Sequence, residues 1–133
     1  MKKLLMAFML LGLLAGCTSD PGASETAAPG NYETITAQEA KQMMDDASAY
    51  VLVDVRTQSE YEQERIEGAI LIPDTEIAAR AEQEIADKSA LIFVYCRSGV
   101  RSNRAAQILA GLGYSKVYDM GGILYWPYET VSG

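Results

Sequence analysis

Cys96 is the residue whose type and position are best suited to chemistry. The apolar run Leu-Ile-Phe-Val-Tyr at residues 91–95 precedes it and is typical of a buried strand. A loop with one glycine and two arginines follows, and residues 103–112 then predict a helix. A thiol at such a strand-to-helix turn lies among backbone N–H groups at the positive end of a helix dipole, which stabilise a thiolate. The sequence therefore indicates a nucleophilic cysteine.

The distribution of charge predicts a small anionic ligand near this thiol. The chain has 11 basic and 18 acidic residues and a net charge of −7, which argues against nucleic-acid binding. Residues 88–118 contain no acid, and their bases are Lys88, Arg97, Arg101, Arg104 and Lys116. We interpret this acid-free stretch as a local positive site in an otherwise acidic protein.

The N-terminal residues have the pattern of an export signal and are not expected to be part of the folded domain. Lys2 and Lys3 precede an apolar stretch at residues 4–14, as in a secretory signal, and that stretch is too short to span a bilayer comfortably. The order Leu-Ala-Gly-Cys at residues 14–17 resembles the lipobox of bacterial lipoproteins. That resemblance implies cleavage before Cys17, lipidation of its thiol, and a location outside the cytoplasm on a bacterial membrane. An ordinary secreted protein with an incidental cysteine is the alternative.

Three segments follow from this pattern. Residues 1–16 are predicted to be a lipoprotein signal peptide, and residues 17–31 a lipidated cysteine with a flexible tether rich in Ser, Thr, Ala, Gly and Pro. Residues 32–133 are predicted to be one domain. With no histidine and one free cysteine, neither a metal site nor a cofactor is expected.

Strand and helix patterns alternate along the domain. Residues 51–55, 69–72, 91–95 and 116–118 are short apolar runs that predict strands. Capping-box pairs, Thr36 with Glu39 and Thr57 with Glu60, predict helices at residues 37–46 and up to about residue 63. Helical spacing predicts two more helices, at residues 75–86 and 103–112. The alternation indicates an α/β fold with a parallel sheet, which binds ligands at the carboxyl ends of its strands.

Five motifs in order give the chain its resemblance to the rhodanese-like sulfurtransferases. They are Asp54-Val-Arg56, Glu60-Tyr61, Gly68-Ala69 with Ile72-Pro73, the loop from Cys96 to Ser102, and Gly121-Gly122 with Trp126. The chain departs from the family pattern at Glu64, Arg65 and Glu67, where a glycine, a histidine and a proline, respectively, are common. The resemblance implies a three-layer sandwich around a mainly parallel sheet of about five strands.

The resemblance also implies a reaction. Cys96 would take the outer sulfur of thiosulfate, or a related small anionic donor, as a persulfide and pass it to cyanide or a thiol. The residues expected to bind the donor, through loop N–H groups or guanidinium groups, are Arg97, Ser98, Gly99, Val100, Arg101 and Ser102. Arg97 has the alternative of pointing to solvent, and Arg101 that of bracing the loop through a carboxylate. Ser102 is also predicted to be the N-cap of the following helix.

Asp54 and Arg56 are interpreted as structural residues near the site, as an ion pair or a loop brace.

The sequence leaves three rival functions, two of which it disfavours. A related cysteine phosphatase is disfavoured by the length of the loop. Such phosphatases have five residues between the cysteine and the arginine, whereas four separate Cys96 from Arg101 here, and the smaller loop suits a single sulfur atom better than a phosphate. A dithiol oxidoreductase needs a second free thiol, which lipidation of Cys17 would remove. A non-catalytic binding module remains possible, and the sequence identifies no protein partner.

Overall fold

The sheet of this protein contains five strands that all pair in parallel. The computed structural model describes residues 30–133, and its strands are β1 (Tyr32–Thr34), β2 (Val51–Asp54), β3 (Ile70–Leu71), β4 (Leu91–Cys96) and β5 (Lys116–Gly122). Their order across the sheet is β1-β5-β4-β2-β3. The predicted α/β class and parallel sheet of about five strands are confirmed. The predicted signal peptide and Cys17 lie outside the described residues.

Four helices connect these strands. They are α1 (Ala37–Asp46), α2 (Gln58–Gln63), α3 (Ile77–Glu84) and α4 (Val100–Gly111), and a short 3-10 helix, Ile123–Tyr125, follows β5. In residues 30–133, no helix combines the length and apolar character needed to cross a membrane.

The alternation of side chains along β4 divides the core into two layers. Ile92, Val94 and Cys96 belong to a cluster with the apolar residues of α3 and α4. Phe93 and Tyr95 belong to the cluster on the opposite face, with Ala40 and Met44 of α1 and with Ile66 and Ile123. Because successive residues of a strand point to opposite faces, the thiol at the end of β4 is directed toward α4.

Both predicted capping boxes are present. The Glu39 N–H donates to Thr36 Oγ1 at 3.1 Å, and the Thr36 N–H donates to Glu39 Oε2 at 2.7 Å. Thr57 and Glu60 make the same pair of bonds at the start of α2. These bonds satisfy backbone donors that a helix leaves open in its first turn, so the two helices begin where the sequence predicts.

The start of α4 differs from the prediction. The helix begins at Val100, three residues earlier than expected, and its N-cap is Gly99 with φ 108°. A left-handed conformation of this kind favours glycine. The prediction that Ser102 caps the helix is wrong, because Ser102 lies inside the first turn with its side chain buried.

The edge strand β1 was not predicted, and β5 is longer than predicted. Two of the three residues of β1 are exposed, so the strand carries no apolar pattern that marks it in the sequence. Tyr32 pairs with Val117 of β5, and Gly30 just before it donates its N–H to the Ala110 carbonyl at 3.2 Å. The start of the domain is therefore held by contacts with β5 and α4.

Candidate active site

Cys96 occupies the carboxyl end of β4, one of the inner strands of the sheet. Its side chain is buried, and the Gly99 N–H donates to its Sγ at 3.0 Å. The left-handed turn at Gly99 makes this bond possible, because it folds the loop back over the strand end. The thiol therefore lies at the amino end of α4, where a backbone donor and the helix dipole both favour negative charge.

Ser102 is the second side chain in contact with the thiol. Its Oγ lies 3.5 Å from Cys96 Sγ and 2.7 Å from Asp119 Oδ1. Ser102 lies in the first turn of α4, and its hydroxyl points into the protein rather than toward the unpaired N–H groups at the start of the helix. The structure thus places Ser102 in contact with the thiol, and the predicted role of Ser102 in binding the donor remains a prediction.

Arg101 is held by Glu60 of α2. Its two terminal nitrogens, Nη1 and Nη2, each donate to one carboxylate oxygen of Glu60 at 2.9 Å. This parallel pair is the strong geometry for an arginine and a carboxylate. The hydrogen bond from Arg101 lowers the pKa of Glu60 from 4.5 to about 2. The contact supports the interpretation of Arg101 as a brace between the loop and α2, and its predicted role in binding the donor remains a prediction.

Glu60→Gln is expected to make the free energy of unfolding less dependent on pH in acid. A carboxyl group whose pKa is lowered by folding contributes stability that is complete above its unfolded pKa and is lost as the pH falls through its folded pKa. For Glu60 this loss runs from about pH 4.5 down to about pH 2. Urea denaturation across this range should show a shallower decline for the variant. Glu62→Gln on the same helix is the matched control, and an equal slope in Glu60→Gln and wild type would contradict the assignment.

Arg97, Ser98 and Val100 form the exposed part of the loop. Arg97 makes no salt bridge within residues 30–133. It lines a cleft of about 460 Å³, whose other lining residues are Arg56, Glu60, Gln63, Glu64, Ile123 and Leu124. The Arg97 guanidinium, which directly follows Cys96 in the chain and has no carboxylate partner among the described residues, is suited to bind an anion. Of the two loop arginines, Arg97 is therefore the one whose charge is available.

Asp54 and Arg56 form a buried ion pair beside the site. Arg56 Nη2 lies 2.6 Å from Asp54 Oδ2, and both side chains are almost entirely inaccessible. The Tyr95 hydroxyl donates to the same Asp54 oxygen at 2.8 Å, and the Ile66 N–H donates to that hydroxyl. Arg56 also donates to the Glu64 carbonyl. These contacts join the ends of β2 and β4 to the segment after α2.

Asp119 was not singled out in the sequence, and Gly122 was named only as part of the Gly-Gly motif, although both contact the loop. Asp119 is buried and accepts hydrogen bonds from Ser102 and from the Gly121 N–H. A Cβ atom at Gly122 would lie 2.0 Å from the Arg97 carbonyl oxygen, so only glycine fits against the loop there. The one available signal for Asp119 was an aspartate between Tyr118 and Met120, directly after the predicted strand.

The acid-free stretch of the sequence is not acid-free in space. Glu60 pairs with Arg101, Asp74 lies 3.6 Å from Arg104, and Asp119 approaches the thiol through Ser102. The positive character of the site therefore rests on Arg97 and on the backbone N–H groups. Within residues 30–133, no group of three or more His, Cys, Asp or Glu side chains is placed to hold a metal ion.

Comparisons with known proteins agree on one family. The family described as rhodanese-like domain matches residues 36–127. Thiosulfate sulfurtransferase PspE of Escherichia coli is 39% identical over 81 residues, which cover 61% of this chain and 78% of that protein. A sulfurtransferase of Allochromatium vinosum is 36% identical over 93 residues, which cover 69% of this chain and 85% of that protein.

Solved structures show the same fold. One described as rhodanese with anions from E. coli aligns with a TM-score of 0.61 at 36% identity, covering 64% of this chain and 100% of that one. A rhodanese-like domain protein from Staphylococcus aureus aligns with a TM-score of 0.63 at 27% identity, covering 76% and 98% of the two chains.

Proposed function

The chain belongs to the rhodanese-like domain family, and from that premise we propose that it moves sulfane sulfur from thiosulfate or a related anionic donor to a thiophilic acceptor. The observation that carries the proposal is the position of Cys96. Its Sγ lies at the amino end of α4 and accepts a hydrogen bond from the Gly99 N–H at 3.0 Å. This is the environment in which a thiol becomes a nucleophilic thiolate.

The proposed reaction has two steps. In the first, the Cys96 thiolate attacks the outer sulfur of the donor, a new S–S bond forms, and sulfite leaves with the electrons of the old one. In the second, cyanide or a thiol attacks the terminal sulfur of the persulfide and regenerates the thiolate. Loop N–H groups near Sγ are suited to stabilise the negative charge on the terminal sulfur between the two steps.

Arg97 is the proposed ligand for the sulfonate end of the donor. Its guanidinium is exposed and borders the cleft, whereas Arg101 already donates two hydrogen bonds to Glu60. A solved relative described as rhodanese with anions is in keeping with an anionic donor. Because Cys96 has no exposed surface, the outer sulfur reaches Sγ only when the loop or the cysteine side chain moves.

Sequential mass measurement tests this function. The purified chain carrying Cys17→Ser keeps Cys96 as its only cysteine. Thiosulfate should raise its intact mass by about 32 Da, and cyanide or a thiol should return it to the original value. A chain that gains no sulfur at millimolar thiosulfate would fit a non-catalytic binding module instead. Phosphate release from an aryl phosphate would favour the phosphatase.

We also propose that the chain is a lipoprotein whose domain lies outside the cytoplasm. The support is the sequence: two lysines, an apolar stretch at residues 4–14, and the order Leu-Ala-Gly-Cys ending at Cys17. Cells fed labelled palmitate should label the wild-type chain, and Cys17→Ser should remove both the label and the chain's retention in the washed membrane fraction. Label that persists on the variant would exclude this anchor.

A further inference from the structure

A buried chain of hydrogen bonds leads from the Cys96 thiol to Asp119. The thiol donates to Ser102 Oγ at 3.5 Å, and Ser102 Oγ donates to Asp119 Oδ1 at 2.7 Å. Cys96 and Ser102 have no exposed surface, and Asp119 is 2% exposed. The proposed reaction uses the thiol but gives the Asp119 carboxylate no role. Only the Ser102 hydroxyl separates this buried acid from the nucleophile.

The Ser102 hydroxyl has a single hydrogen, and the geometry indicates where it points. Its possible acceptors are the carbonyl oxygens of Gly99 at 3.1 Å and Gly121 at 3.3 Å, and the carboxylate of Asp119 at 2.7 Å. The carboxylate is both nearest and charged, so it takes the hydrogen. The hydroxyl then presents a lone pair to Cys96. In that arrangement Ser102 stabilises the neutral thiol, and it has no hydrogen left to give a thiolate.

Asp119 is itself held by neutral donors. Besides Ser102, the Gly121 N–H donates to Oδ1 at 2.9 Å, and Asn103 Nδ2 lies 3.4 Å from Oδ2. No salt bridge joins Asp119 to a lysine or arginine of the described residues. A carboxylate without a paired cation, in a poorly hydrated interior, disfavours a second negative charge nearby.

We propose that Asp119 is a positioning residue that, through Ser102, disfavours negative charge on Sγ of resting Cys96. When the thiolate forms, the S–H bond breaks and its proton goes to water. Sulfur loading then moves the negative charge to the terminal sulfur, about 2 Å farther along the new S–S bond. The carboxylate therefore favours the loaded enzyme relative to the free thiolate. This consequence for loading rests on the proposed function, whereas the effect on the thiol does not.

Other charged or titratable groups of the neighbouring elements act on the same thiol. The amino end of α4 and the Gly99 N–H favour the thiolate, in opposition to Asp119. The remaining groups are Arg97 of the loop, Arg101 paired with Glu60 of α2, Arg104 paired with Asp74, and Tyr32 of β1, which contacts Asn103. Because the two ion pairs carry little net charge, Asp119 is the carboxylate that reaches the thiol through hydrogen bonds.

The rate of alkylation by iodoacetamide, measured against pH, tests the proposal without requiring sulfur transfer. The full chain with Cys17→Ser is compared with the same chain also carrying Asp119→Asn, an isosteric change that keeps an acceptor for Ser102. The midpoint of the pH profile should move down by about one pH unit, so that alkylation below the midpoint is about tenfold faster. A midpoint that stays or rises in a folded variant overturns the proposal.

Ser102→Ala provides an independent test whose direction distinguishes two roles. If Asp119 holds the hydroxyl hydrogen, the variant removes only the acceptor of the thiol, and the midpoint falls. A rise would show that Ser102 donates to the thiolate, which overturns the proposal even if Asp119→Asn does not fold. Asp74→Asn removes a carboxylate that is not bonded to Ser102, and it should shift the midpoint by less than half as much. An equal shift would show a net-charge effect and would also overturn the proposal.

Discussion

Cys96→Ser is expected to abolish sulfur loading of the chain. A serine hydroxyl is far less acidic and less nucleophilic than a thiol, and an O–S bond to the sulfane sulfur is not a stable carrier. In the Cys17→Ser background, the mass gain of about 32 Da with thiosulfate should therefore disappear, and thiocyanate formation should fall at least about a thousandfold.

The substitution is suited to this test because it changes little else. Cys96 is buried between the apolar side chains of α4 and the sheet, and serine occupies slightly less volume, so the fold should persist. Retention of the thermal unfolding transition is the control. Sulfur transfer that survives in a folded Cys96→Ser protein would place the chemistry on another residue and end the proposal.

Gly122→Ala is expected to have the second-largest effect, through the backbone rather than through a reacting atom. An added Cβ would lie 2.0 Å from the Arg97 carbonyl oxygen and 2.7 Å from the Ser98 Cα. Both atoms belong to the main chain of the active-site loop, so no flexible side chain can move to relieve the overlap. The loop or β5 must shift, at a cost of about 1–3 kcal/mol in the free energy of unfolding.

The same shift should reduce the rate of sulfur loading. The Gly99 N–H contacts Sγ only while the loop follows its observed path, and displacement of about 1 Å at a catalytic group costs on the order of a hundredfold in rate. Urea denaturation and the rate of persulfide formation measure the two effects separately.

Gly111→Ala is the matched control for this variant. Gly111 is the last residue of α4, it is exposed, and a Cβ there meets nothing within 4 Å. The substitution should be neutral or stabilising by up to about 1 kcal/mol, and it should leave sulfur loading unchanged. If the Gly122→Ala protein matches Gly111→Ala in both its free energy of unfolding and its rate of sulfur loading, the loop is not held against β5 as described.

Much of the fold was predictable because its signals are local. The two capping boxes lie within four residues each, and the apolar runs of β2 and β4 are continuous, so short-range patterns were sufficient. The strand β1 had no such signal, since Glu33 and Thr34 are exposed and its pairing with β5 joins residues far apart in the sequence. The start of α4 was misplaced because a left-handed glycine, rather than Ser102, begins the helix.

The sequence by itself identified the candidate nucleophile and the family. A thiol between an apolar strand and a glycine-containing loop indicated Cys96, and the order of motifs indicated the family; both are properties of neighbouring residues along the chain. The proposed export signal and the proposed lipidation of Cys17 also rest on sequence alone.

Only the tertiary structure decided which charges reach the thiol. Glu60 neutralises Arg101 across 41 positions of sequence, and Asp119 reaches Ser102 across 17. A linear count of charges around Cys96 shows neither contact. The physical reason is the parallel sheet: its crossover helices bring the carboxyl ends of β4 and β5 and the start of α2 to one edge. Electrostatic interactions depend on distance in space, so the balance between Arg97, the helix dipole and Asp119 became visible only once these elements were packed.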